Sequence, residues 1–294
     1  MNKINKIIMF SAFALMGLAG YFYYPSTAEK VTSEPRRGIA SVVESARTYE
    51  FTDKRGQSRS VQLKAEAIEW ANANIPQVSG LPEDKKMPVY YLISKIYHRL
   101  SNVDHYESEY NQIRSDATLA RDYFPSYVSS GFLIHFLGPS EHLTDVPQYQ
   151  VVRGKTVEQV FGYPGDHRVM DNIGADGTHR TAIVEARTLT PYPLGAFNVF
   201  YHEFAHTIHF TLMSKAEFTR LHEMFQRAVQ NQTVLDDYAA THVSEYFAQA
   251  FEAFISEDKS TDEEDSWKYH RHTKQELLQK DPELYHFIES ILAN

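Results

Sequence analysis

The stretch His202-Glu203-Phe204-Ala205-His206 sets two imidazoles one helical turn apart, with a carboxylate beside the first. On an α-helix, residues i and i+4 share a face, close enough for both rings to bind one ion. Glu203 points about 100° around the axis from His202. That puts its carboxylate beside such an ion rather than on it, where a general base for an activated water belongs. The HExxH spacing therefore reads as two metal ligands and a base. The chain has no cysteine, so a zinc site here must use histidine and carboxylate alone.

The same five residues also fit a buried helix whose histidines are hydrogen-bonded core residues, and the flanking sequence weighs against that. Pro191 and Pro193 close off the preceding loop, and Asn198 is an N-cap candidate. Phe200, Phe204, Ile208 and Leu212 form an i, i+4 apolar row next to the histidine face. Ser214 and Glu217 make a capping box that starts a new helix and ends this one near Met213.

An open zinc site needs a third protein ligand. The extended form HExxHxxGxxH requires Gly at 209 and His at 212, where this chain has His209 and Leu212, so that class is excluded. The alternative is a glutamate on a later helix. Val243 to Ile255 reads as such a helix, with Phe247, Phe251 and Phe254 as its apolar stripe and Glu245 and Gln249 sharing another face. Glu245 sits among aromatics and alanines, and a carboxylate buried there needs a cation.

HEFAH, then Tyr238, then the string Glu245-Tyr246-Phe247-Ala248-Gln249-Ala250-Phe251 resembles the C-terminal catalytic domain of the anthrax lethal factor family, which includes the secreted Pro-Pro endopeptidases. The likeness extends to the C-terminus, where Gln279 to Ile288 resembles the family's closing helix. It covers residues 80–294, weakly before 180 and well after 198. The resemblance implies an α+β, gluzincin-type metallopeptidase domain with a small sheet under several helices. It also implies one Zn2+ per chain, held by His202, His206 and Glu245. Glu203 is then the base for zinc-activated water, and Tyr238 donates to the oxyanion. Relatives carry an acidic residue one turn after the ligand glutamate, where it orients a zinc-bound histidine. This chain has Gln249 there. Its carbonyl can accept from an imidazole N–H but brings no charge, so weaker zinc binding is expected.

Composition agrees with one catalytic domain behind a leader. Of 294 residues, 43% are apolar and 13% aromatic, enough for a sizeable core. A net charge of −9 argues against a nucleic-acid partner and provides no basic surface for anionic lipid. At the N-terminus Lys3 and Lys6 precede the apolar run Ile7 to Tyr24, and Ser26-Thr27-Ala28 offers a small-x-small cleavage site. Residues 1–28 thus read as an export signal, secretory or periplasmic, with an uncleaved membrane anchor over 7–24 as the alternative. Residues 29–79 read as a linker, centred on Thr32 to Gly38, and a short helical leader.

Val61 to Ala73, Met87 to Leu100 and Tyr106 to Ala120 read as helices, and Gly131 to Leu137 as a buried strand. Thr181 to Ala186 reads as a strand close before the HExxH helix, suited to be the edge along which an extended substrate lies. Asp262 to Asp265 reads as a solvated loop, with calcium a minor option. Asp281-Pro282 is an N-cap and N1 pair for a last helix with Leu284, Phe287, Ile288 and Ile291 inward. His209 reads as a packing or surface histidine that could also line the cleft. His135, His142, His167, His179 and His242 have no motif spacing. The expected function is exported zinc metalloendopeptidase acting on protein or peptide. The alternatives are an inactive relative that binds a partner, or a zinc amidase acting on cell wall.

Overall fold

The computed structural model describes residues 46–52, 56–110, 131–162, 165–189, 197–256 and 272–293. The expected signal and linker, Pro191, Pro193, the far end of the 106–120 helix and the acidic run at 262–265 lie outside the described residues. Strands β1 (Ala46–Thr52) and β2 (Ser58–Lys64) form an antiparallel hairpin, and helix α1 (Ala65–Asn74) follows directly. Val61 to Lys64, expected as the start of that helix, completes the hairpin instead. The stretch from Ser58 to Lys64 alternates with strand period, so that Leu63 turns inward. Its overlap with a helix-like apolar pattern is what misled the periodicity.

Helix α2 (Glu83–Leu100) begins one turn before Met87 and carries Pro88 inside it. The proline removes one hydrogen bond, which burial of Met87, Val89, Leu92, Ile93 and Ile96 offsets. Helix α3 (Val103–Tyr110) comes next. Leu63, Ala67, Ile68, Ala71, Ile75 and Val78 belong to the main core, and the compact unit begins at Glu44. The expected leader therefore packs into the same core as the rest of the described chain.

The second sheet has three strands in the order β3 (Leu133–Leu137), β5 (Thr181–Glu185), β4 (Ala175–Thr178). β3 runs parallel to β5, and β4 runs antiparallel to it. Thr181 to Glu185 is thus the central strand, not the edge. Ala182 and Val184 face the main core, while Ile183 faces a smaller cluster with Leu137, Leu143, Tyr149, Val152 and Val160. A strand covered on both faces reads as a continuous apolar run. The edge is β4, whose Ala-Asp-Gly-Thr composition has little strand propensity.

Short helix α4 (Val157–Phe161) borders the smaller cluster. The HExxH helix α5 (Val199–Thr207) continues into a π-helical turn at Ile208–Leu212, and α6 (Lys215–Asn231) starts from the Ser214–Glu217 capping box. Helices α7 (Val243–Ile255), α8 (Lys274–Lys280) and α9 (Pro282–Leu292) complete the described chain. The result is an α+β body with a small sheet under several helices. Among the described residues, no helix is long and apolar enough to cross a membrane.

Two contacts fix α5 along its length. Thr207 Oγ1 donates to the carbonyls of Thr181 at 2.6 Å and Thr178 at 3.1 Å, tying the helix end to the β4–β5 turn. Gly177 lies against the helix so closely that a β-carbon there would come within 2.1 Å of the Glu203 carbonyl oxygen. Beyond the π-helical turn, the buried Arg99 donates from Nη1 to the Leu212 carbonyl at 2.8 Å and from Nε to the Ile291 carbonyl at 2.9 Å. Its Nη1 and Nη2 also grip the Glu217 carboxylate at 3.0 and 2.8 Å. One guanidinium therefore joins α2, the end of the HExxH helix, the cap of α6 and α9.

Arg99→Met should cost about 3–5 kcal/mol, because it strips a buried cation from an acid and two carbonyls. Arg99→Lys should recover only part of this, since an ammonium lacks the planar fork. Urea unfolding measures both, and a Met variant as stable as wild type would show the clamp to be dispensable. Gly177→Ala should cost about 1–3 kcal/mol or more by forcing β4 off the helix. Gly174→Ala, whose β-carbon meets only the Glu185 side chain at 3.0 Å, should cost less than about 0.5 kcal/mol. Equal melting temperatures for the two alanine variants would refute the close approach at Gly177.

Candidate metal centre

Asn198 caps α5, its side chain accepting from the Tyr201 amide at 3.3 Å. Its own amide donates to Oε1 of Glu252 at 2.8 Å, and Glu252 is fully buried on α7. This bond sets the start of α5 against α7, the two helices whose facing sides carry the site. Phe200, Phe204, Ile208 and Leu212 are all buried in the main core, which turns His202 and His206 toward α7.

The rings of His202 and His206 lie 5.0 Å apart, nearly perpendicular. Glu245 comes from the first turn of α7, where the helix N-terminus favours a negative charge. Its Oε2 is 3.2 Å from Nε2 of His202, and its Oε1 is 3.6 Å from Nε2 of His206. Among the described residues this is the one group of three such donors, all within 4.8 Å of one another and all buried. Glu245 Oε2 has no well-formed hydrogen bond despite the nearby imidazole. Two imidazole nitrogens and a carboxylate gathered this closely are an arrangement that suits a cation.

The electrostatics suit the same ion. Burial would raise the Glu245 carboxyl, but His206, His202 and a hydrogen bond with Tyr238 outweigh it and hold it at about 2. Burial pushes the His206 imidazole down to about 4. At neutral pH the set includes an ionised carboxylate and a neutral imidazole, the forms that bind a metal. Two imidazoles and one carboxylate with no sulfur are a donor set suited to catalytic zinc.

Glu203 is half-buried and sits one step around α5 from the ligand face. Tyr238, in the turn before α7, is 43% exposed, yet its hydroxyl end reaches Glu245 and its ring stacks on His202 at 6.4 Å. Burial of that end, with the charges of Glu245 and Glu203, raises the phenol far above its usual value. Tyr238 therefore stays a proton donor in hydrogen bonds across the physiological range.

Gln249 is buried in α7 beside the site, but neither end of its amide is hydrogen-bonded, and Nδ1 of His202 and of His206 also lack partners. The expected Gln249–imidazole bond is not formed. Aromatic neighbours orient the ligand rings instead: Phe197 lies 5.6 Å from His202, and Phe210 stacks on His206 at 6.5 Å. His209 is fully buried between Phe210 and Phe218 at 4.5 and 5.0 Å, so it packs the core and does not line a cleft. His135, His142, His167 and His179 find carboxylate or backbone partners away from the site, and His242 caps α7.

Four residues near the centre carry no signal in the sequence. Gly177 and Glu252 position α5, as described. Asp176, on the edge strand, accepts from Tyr149, and burial lifts its carboxyl to about 6. Arg168 is ion-paired with Asp166, and its charge is felt by both Tyr238 and Glu245. None of the four carries a motif of its own, and only tertiary packing gives each a place.

No curated protein matches the chain. The family model for anthrax toxin lethal factor, N- and C-terminal domain, matches residues 100–291. That span includes the sheet, α5, the Tyr238 turn and α7. The chain belongs to this anthrax lethal factor family, whose catalytic domain is a zinc metallopeptidase fold.

Proposed function

We propose that this chain is an exported zinc metalloendopeptidase that hydrolyses peptide bonds in protein or peptide substrates. The observation that carries the reading is the convergence of His202, His206 and Glu245, with Glu203 and Tyr238 nearby. His202, His206 and Glu245 would hold one zinc ion per chain. When bound, zinc supplies Lewis acidity, polarising the scissile carbonyl and acidifying a water.

Glu203 takes the proton of the attacking water at its carboxylate and delivers it to the leaving nitrogen. Tyr238 donates its hydroxyl hydrogen to the oxygen that gains charge as the carbonyl carbon becomes tetrahedral. The phenol is well placed for this, since it already lies against Glu245 and is held protonated. An extended substrate fits along β4, which pairs with β5 on one side and with no described strand on the other. The net charge of −9 leaves nucleic acid out of the reading. Export rests on the N-terminal pattern of Lys3, Lys6 and the Ile7–Tyr24 run, with anchoring by residues 7–24 as its variant.

The purified protein should contain about one zinc and lose proteolysis on chelation. Glu203→Gln should keep the metal and abolish turnover, whereas His202→Ala should lose both. Metal analysis beside a peptide-library cleavage assay measures this, and a Glu203→Gln protein cleaving at the wild-type rate would overturn the assignment of the base. Tyr238→Phe should lower kcat about 10²- to 10³-fold, as loss of one oxyanion donor does. KM, zinc content and melting temperature should hold, because the lost bond matters in the transition state. A zinc-replete Tyr238→Phe enzyme with kcat within about twofold of wild type would return the residue to a packing role.

A further inference from the structure

Tyr238 is 43% exposed, so core packing fixes its ring only in part. Its hydroxyl end reaches Glu245 and its ring stacks on His202, and the backbone turn beneath sets how the side chain approaches them. Within the turn, Asp236 Oδ1 accepts from the Ala239 amide at 2.7 Å, and the Tyr238 carbonyl accepts from the Thr241 amide and hydroxyl at 3.0 and 2.6 Å. These bonds shape the turn, and Leu235 and Ala239 bury its two flanks in the main core.

Two further polar bonds come from the C-terminal part of the chain. His272, just before α8, binds Asp236 Oδ2 through Nε2 at 3.0 Å. Lys280, the last residue of α8, donates from Nζ to the Leu235 carbonyl at 2.7 Å. The two bonds reach the turn from opposite ends of one short helix. Between them lies a cleft of about 400 Å³ lined by Leu235, His272, Glu276, Gln279 and Lys280. Leu235, Ala239 and Leu277 share the main core, and the two polar bonds add direction to that non-directional packing. α8 is itself fixed by Leu277, which is fully buried in the main core, and by the Thr273–Glu276 capping box.

We propose that α8 is a positioning element for Tyr238, with His272 acting through Asp236 and Lys280 through the Leu235 carbonyl to hold the tyrosine turn at the site. Its catalytic consequence rests on the role given to Tyr238 above; its structural part does not. Neither His272 nor Lys280 is placed against substrate or metal.

The test uses the full-length, zinc-loaded protein carrying His272→Ala and Lys280→Met together, with His272→Gln as the conservative variant. Hydrogen exchange over residues 235–241 should become about tenfold faster in the double variant, since local opening becomes easier, while exchange in α5 stays unchanged. His272→Gln, which can still bond Asp236, should exchange like wild type. In the same double variant kcat should fall about tenfold or more, because a small misplacement of a catalytic group is costly, with KM and zinc content unchanged. Introduced into Tyr238→Phe, the double substitution should cause no further loss, because residues acting through one hydroxyl are not additive with its removal. Unchanged exchange in the turn, or an equal loss of kcat in the Tyr238→Phe background, would overturn the proposal. If Tyr238→Phe alone has wild-type kcat, the oxyanion role fails, and the exchange rate of the turn still decides whether α8 holds it.

Discussion

The structure depends on keeping an ionised carboxylate, Glu245, inside an apolar helix interface beside two buried imidazoles. Burying an unpaired carboxylate costs many kcal/mol unless charge or hydrogen bonds answer it. Here the answer is local: the N-terminal turn of α7, two imidazole Nε2 atoms at 3.2 and 3.6 Å, and the Tyr238 hydroxyl. A divalent cation between the three side chains would satisfy all of them at once, and folding and metal binding would then share one geometry.

That geometry requires α5 to keep its rotation and height to within a fraction of an ångström. It is held from three directions by different chemistry. Glu252 on α7 receives the Asn198 amide at the N-terminus, and Thr207 binds two strand carbonyls near the C-terminus. Arg99 collects the Leu212 carbonyl beyond it. Gly177 lets the edge strand approach the helix backbone where a side chain would collide. The π-helical turn at Ile208–Leu212 shifts the register after the second histidine, and His209 is buried there among aromatic rings. Apart from the stacking of His209, each contact joins residues far apart in sequence, so the site is the product of the whole body.

The ligand rings have no hydrogen-bonded partner at Nδ1. In many zinc sites a carboxylate or carbonyl there fixes the ring and raises its basicity. Phe197, Tyr238 and Phe210 take over the orienting part in this chain, while the electronic part is absent. Tyr238 thereby serves twice, packing on His202 and presenting its hydroxyl to the site.

Local patterns determined much of this protein. The HExxH spacing, the Asn198 cap, the Ser214–Glu217 box, the Val243–Ile255 helix and the Asp281-Pro282 start all appear where a few neighbouring residues imply them, because caps and amphipathic faces are short-range physics. The aromatic and alanine setting of Val243–Ile255 singled out Glu245 as a buried carboxylate, and family resemblance added Tyr238, which no local rule joins to His202. The tertiary structure alone decided the rest. Thr181–Glu185 became a central strand because β3 and β4 pair on its two sides, and the weak sequence of β4 gave no hint of an edge. Val61–Lys64 became a strand because β1 pairs with it. Gln249 sits on the expected face yet misses both imidazoles, since helix periodicity fixes direction and not the distance to another helix. Gly177, Glu252, Arg99 and His272 gained roles only through partners dozens of residues or more away, and such long-range contacts are formed by packing that no window of sequence contains.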